Sequence, residues 1–145
     1  MFLEIIISLA LISIAFVTLF GVGILAINTS ASMKTETQAD FLIKEEFEAL
    51  RNFRDGTTWA TNGLGFATTG IPYHLVNSSN KWSLVPGIET IGIFTRSVIF
   101  DAVYRDASGN IASSGTIDPW SLKATVTIAW QGRTMQVISY FTNWK

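Results

Sequence analysis

The pattern of apolar and polar positions divides the chain into three textures. Residues 5–27 form an apolar run without a single charge, broken in side-chain polarity only by Ser8, Ser13 and Thr18. At about 1.5 Å per residue this run predicts a helix of roughly 35 Å, enough to cross a bilayer core of about 30 Å. From residue 34 to 54 the texture turns amphipathic. Ala39, Ile43, Phe47 and Leu50, with Leu42 and Phe53 alongside, recur at helical spacing, while Glu36, Asp40, Lys44, Glu45, Glu48 and Arg51 fall on the opposite face. Asp40 with Lys44 and Glu48 with Arg51 are favourably spaced ion pairs. Arg51 and Arg54 suit the negative end of the helix dipole, Gly56 is a natural stop, and no proline occurs before Pro72. These signals predict one helix over residues 1–55, roughly 80 Å long, apolar all round in its first half and amphipathic in its second.

Gly21-Val22-Gly23 is the weakest stretch of this helix, because each glycine costs about 1 kcal/mol relative to alanine in a helix interior. Two readings stand side by side: small residues allow close helix packing, or the helix bends or unwinds here. The Asn28-Thr-Ser30 segment is also weakly helical.

Beyond Gly56 the texture becomes Gly, Thr, Ser and Asn with scattered aromatics. Residues 57–80 lack a sustained period and read as a long loop holding at most one short strand. Three period-two patterns follow. In residues 93–105, Phe94, Arg96, Val98, Phe100, Ala102 and Tyr104 share one face. In residues 122–130, Leu122, Ala124, Val126, Ile128 and Trp130 do so, and in residues 134–141, Met135, Val137, Ser139 and Phe141. Gln131-Gly132-Arg133 is short enough to make the last two a hairpin. Asp106 to Pro119 reads as a longer surface loop. The expected domain is a three- to four-stranded antiparallel meander, residues 56–145, whose apolar face is covered by Ile43, Phe47, Leu50 and Phe53 of residues 34–54. The fold class is therefore α+β.

Composition sharpens this picture at a few points. With its first 30 or so residues committed to the apolar segment, a 145-residue chain has enough left for one modest domain. The mean hydropathy is +0.35 and charged residues make up 14% of the chain, with Lys34 the first basic residue. A net charge of −1 gives no electrostatic case for binding nucleic acid. Zero cysteine removes disulfides, thiol catalysis and Cys-based metal sites. The N-terminus lacks the basic leader of a signal peptide and its apolar stretch exceeds the usual ~7–15 residues, so a retained segment is expected.

Candidate chemistry is sparse. His74 is the only histidine, and without cysteine or a second His it fits a surface position better than a metal or catalytic one. Asp106, Ser108 and Asn110 have the spacing that begins a calcium loop. Ile111 and Ile117, however, stand where its glycine and closing Glu belong, so a solvated loop is the better reading. Gly63-Leu-Gly65 and Gly70 lack the strand-before, helix-after setting of a phosphate loop. No acid–base or nucleophile constellation is apparent, and neither catalytic residues, a metal nor a cofactor is expected. Of the five tryptophans, Trp130 is in phase with a buried face, and Trp59, Trp82, Trp120 and Trp144 suit helix–sheet packing or subunit contacts better than a carbohydrate platform. Asn28-Thr-Ser30 and Asn77-Ser-Ser79 match a glycosylation sequon of the kind short Ser-rich segments produce by chance.

Glu4 remains. A carboxylate at the lip of an apolar segment needs a partner or hydration, which makes it a functional candidate. The plain alternative is a Glu4 that reaches the headgroup region and stays hydrated. The string Phe2-Leu3-Glu4-Ile5-Ile6-Ile7-Ser8-Leu9-Ala10 resembles the N-terminal signature of the type IV pilin family, which includes the pseudopilins of type II secretion. The similarity covers residues 1–30 in motif and extends to about residue 55 in architecture. It departs in two places. Glu4 is fourth where the family's glutamate is fifth in the mature chain, so either the start is shifted or one preceding residue is missing. Gly21 and Gly23 stand in the region where many members carry a proline.

The resemblance implies a structural subunit that polymerises through its apolar helix, with Glu4 pairing with the α-amino group of a neighbour's Met1. It implies residence in the cytoplasmic membrane before assembly and in a surface filament afterwards. The implied partners are further copies of the chain and a pilus or secretion assembly machinery, and the filament would serve adhesion, motility or DNA uptake. A minor pilin or secretion pseudopilin shares every N-terminal feature. An ordinary single-pass membrane-anchored binding module is the alternative from another class.

Overall fold

The structure, a computed structural model, describes residues 2–144. One helix, α1 (Phe2–Gly56), is followed by a 3-10 turn at Leu64–Phe66 and seven strands. These are β1 (Pro72–Ser78), β2 (Lys81–Pro86), β3 (Glu89–Ile91), β4 (Phe94–Arg105), β5 (Ile111–Ala112), β6 (Thr116–Trp130) and β7 (Arg133–Thr142). The chain divides into two compact units, Met1–Gln38 and Ala39–Lys145. The first is helix alone. The second is an α+β domain in which the amphipathic part of α1 packs on one face of an antiparallel sheet.

The sheet is larger than the expected three- to four-stranded meander. Its order is β2-β1-β4-β6-β7, with β3 and β5 also paired to β4. Only β4, β6 and β7 form a meander; the chain leaves β2 at one edge and passes β1 to enter β4. The short strand allowed for in residues 57–80 is present, and one reading of a loop is corrected. Within residues 57–80 lies β1, which with β2 forms a tight hairpin closed by Ser79 and Asn80, both at positive φ (53° and 61°). That turn geometry normally calls for Gly or Asn at both central positions, so Ser79 disguises it. The expected loop from Asp106 to Pro119 contains β5 and the start of β6, which pairs with β4 through Thr116, Ile117 and Asp118.

The alternation in β4 also changes phase. Register shifts between Ala102 and Val103, where Ala102 faces Leu122 but Val103 faces Asp118. Pro119, Trp120 and Ser121 are the extra residues of this bulge, a position that tolerates proline because no ladder hydrogen bond is required of it. In consequence Val103, rather than Tyr104, is buried. Before the bulge the pattern is regular: Val98 lies opposite Val126 and Phe100 opposite Ala124. On β7, Val137 lies opposite Val126 and Phe141 opposite Leu122, and Gln131-Gly132 make the hairpin turn with positive φ at both residues.

The core forms where these strands meet the helix. Ile43, Phe47, Leu50 and Phe53 are buried together with Leu75, Val98, Phe100, Val126, Ile128 and Phe141. Phe47 stacks on Phe141 at 6.4 Å and the Arg54 guanidinium lies 5.7 Å from the same ring. Tyr73 tilts against Phe100 at 5.9 Å and Phe94 against Trp130 at 5.8 Å. Full burial of side chains this large is worth about 1.5–3 kcal/mol each. The helix ends where Thr57 Oγ1 donates to Phe53 O at 2.6 Å, satisfying one of the carbonyls a terminus leaves open. Both expected surface pairs form, Lys44 with Asp40 at 2.7 Å and Arg51 with Glu48.

Candidate functional site

Within Met1–Gln38 every large apolar side chain from Phe2 to Ile27 is at least 49% exposed. Soluble proteins rarely present apolar patches beyond a few hundred Å², so this surface requires cover from outside the subunit. The helix is long and apolar enough to cross a membrane. Two of its three polar interruptions, Ser13 and Thr18, are prepared for such surroundings. Ser13 Oγ donates to Leu9 O at 2.8 Å and Thr18 Oγ1 to Ala15 O at 2.9 Å, so these hydroxyls carry no unmet donor into lipid. Glu4 lies exposed in the first turn of α1. Met1, the other expected assembly residue, lies outside the described residues.

Gly21 and Gly23 sit inside uninterrupted helix, and a Cβ at either would meet nothing within 4 Å. No contact in the subunit therefore demands glycine there. These two residues and Glu4 are not brought together; Gly21 is about 26 Å along the helix from Glu4. By contrast, Ile43, Phe47, Leu50 and Phe53 converge in one core with the sheet.

At the centre of that helix–sheet contact lies a charged cluster missing from the expected sites. Glu46 is fully buried and Arg96 is 3% exposed. Arg96 Nε donates to Glu89 Oε2 at 3.0 Å and Nη2 to the same oxygen at 2.6 Å. Its Nη1 donates to the helix carbonyl of Leu42 at 3.4 Å and lies 3.5 Å from Glu45 Oε2. Glu46 Oε1 accepts the Leu75 N–H at 3.2 Å. Glu46 Oε2 is 3.0 Å from Arg96 Nε yet accepts no hydrogen bond, because that N–H is aimed at Glu89. Three carboxylates thus surround one guanidinium. Burial pushes the Glu46 carboxyl up to about 7, against the opposing pull of Arg96 and the Leu75 N–H. Each partner left a trace in the sequence: Glu46 falls between Ile43 and Leu50 on the apolar phase of the helix, and Arg96 between Phe94 and Val98 on the apolar phase of β4.

The other singled-out residues have structural settings. His74 Nδ1 is 3.3 Å from Gly87 O. Asp106 Oδ1 accepts the N–H groups of Ser108 and Asn110, each at 2.9 Å, closing the loop on itself. Those bonds hold the Asp106 carboxyl below its usual range. Among the described residues no group of three or more His, Cys, Asp or Glu side chains is placed to hold a metal ion. Trp130 is core and Trp82 packs partly buried against it, whereas Trp59, Trp120 and Trp144 line a common cleft. Comparison with known proteins finds no matching family model, no matching curated protein and no matching solved structure.

Proposed function

We propose that this chain is a structural subunit of a type IV pilus-like filament, polymerising through residues 5–27. The observation that carries the reading is an uncharged helical segment with all its large apolar side chains exposed and a carboxylate, Glu4, in its first turn. Before assembly that segment anchors the subunit in the cytoplasmic membrane with the sheet domain exported. On assembly, the segments of many copies pack together and replace lipid contacts with contacts to one another. Packing in membranes relies on close fit and small residues rather than on hydrophobic transfer, and Gly21 and Gly23, where a Cβ would meet nothing within 4 Å, give the helix freedom to adjust as well as small residues to pack. Stacking that repeats without closing needs two different surfaces per subunit, the condition for a filament.

Glu4 sets the register by pairing with the α-amino group of a neighbouring copy, since a carboxylate placed in a dry core is stable only when matched by a positive charge. Expressed with its assembly machinery, Glu4→Ala or Glu4→Leu stays in the membrane fraction and yields no filaments. Normal filament yield from either variant sinks the proposal. A membrane-anchored binding module has one observation in its favour, the three-tryptophan cleft. It predicts small oligomers in detergent and no requirement for Glu4.

A further inference from the structure

Three tryptophans from separate parts of the sheet domain meet at the C-terminal end of α1. Trp59 follows the helix, Trp120 lies in the β6 bulge, and Trp144 follows β7. With Arg54, Thr58, Thr142 and Asn143 they line a cleft of about 320 Å³, at the lower end of the roughly 300–1,000 Å³ of small-molecule sites. Trp59 is the fixed wall. It is buried, and its indole N–H is spent on Pro119 O at 3.2 Å. Gly65 lets the chain close over it, because a Cβ there would collide with the Trp59 ring. Trp120 and Trp144 are 54% and 64% exposed. Leaving two indoles in water forgoes much of their burial energy, a cost that a ligand seated between them recovers.

The rest of the lining defines the ligand's chemistry. Thr58, Thr142 and Asn143 are among the lining residues, and their neutral side chains can both donate and accept. Arg54 contributes little free charge, being paired through Nε with Asp55 at 2.8 Å and laid over Phe141. Aromatic faces beside neutral hydroxyls and an amide match a molecule with an apolar C–H face and a rim of hydroxyls. We propose that this cleft binds a neutral pyranose unit of a glycan, stacked on Trp120 and Trp144. The cleft is too small to seat a helix of a second copy, whose diameter with side chains is about 10–12 Å. None of the residues lining the cleft lies in the apolar segment.

The test uses the full chain, unassembled, in a detergent whose head group is not a sugar. Maltotriose, cellotriose, chitotriose and mannotriose are titrated by tryptophan fluorescence and by ligand-observed NMR saturation transfer. At least one is expected to saturate with a Kd on the order of 0.1–1 mM. Trp120→Ala and Trp144→Ala, both at exposed positions, weaken that affinity at least about tenfold with unchanged circular dichroism, and Trp120→Phe restores most of it. The proposal is overturned if none of the four saturates at about ten times that range, or if both alanine variants bind as the parent does. It is equally overturned if the tryptophans instead drive concentration-dependent self-association without binding sugar.

Discussion

Leu19 and Leu50 belong to one helix and have the same side chain, yet Leu19 is 71% exposed and Leu50 is fully buried. The difference lies in what each half of the helix is written to meet. Residues 34–54 carry a single apolar stripe, and the sheet of the same chain covers it. Residues 5–27 are apolar on all sides, and no single sheet could cover every face. A helix apolar all round is stable only in surroundings apolar all round, either lipid or other helices of its kind. The second half therefore specifies a fold and the first half specifies an environment.

The contrast can be broken first at the buried charge cluster. Arg96→Ala strands Glu46 and Glu89 without their guanidinium and is expected to cost about 3–5 kcal/mol at pH 8, read by denaturant unfolding of the sheet domain within the full chain. A cost near zero would mean that the cluster does not hold helix to sheet. Next comes the matched pair. Leu50→Ala should lose about 2–5 kcal/mol through its cavity, while Leu19→Ala stays within about 0.5 kcal/mol in detergent. Equal losses would erase the distinction between the two halves.

The pH dependence is the third effect. The Glu46 carboxyl rises from 4.5 unfolded to about 7 folded, so the folded state holds the proton more tightly. Its contribution is complete below about pH 4.5 and is lost as pH rises through about 7, up to roughly 3 kcal/mol. Unfolding free energy should thus fall between pH 5 and pH 8, and Glu46→Gln should flatten that slope; an unchanged slope in the variant assigns it elsewhere. Asp118, held below its usual range chiefly by the Arg105 hydrogen bond, acts with the opposite sign and only at more acid pH. Smallest is the glycine effect. Gly21→Ala should add about 1 kcal/mol of helix stability to the isolated subunit while lowering filament yield, the outcome expected under the proposed assembly through this segment. A variant that assembles as well as the parent leaves the glycines to flexibility or to no role.

The helix was legible because its signals are local and long: an uncharged run, then a 3.6-residue period ending at a glycine. Strands β4, β6 and β7 were legible for the same reason, each with several turns of period-two alternation. What escaped notice was short or non-local. Strands β3 and β5 span three and two residues, too few to show a period. The β1–β2 hairpin turns on Ser79, a residue without the usual turn signature. The phase change at Val103 arises from three residues of the partner strand, invisible from β4 itself. Glu46 and Arg96 were visible one at a time as charges in apolar phase, but their meeting is a tertiary fact. The cleft gathers Trp59, Trp120 and Trp144 across most of the domain, with no local pattern to announce it.

The central claim is that the exposed apolar half of the helix is buried by copies of itself. Electron microscopy of sheared surface filaments, with mass spectrometry of their principal band, tests it most directly. Filaments built mainly of this chain, with residues 5–27 packed at their centre, are the expected result. Finding the chain confined to the membrane fraction, and absent from any filament, would contradict it.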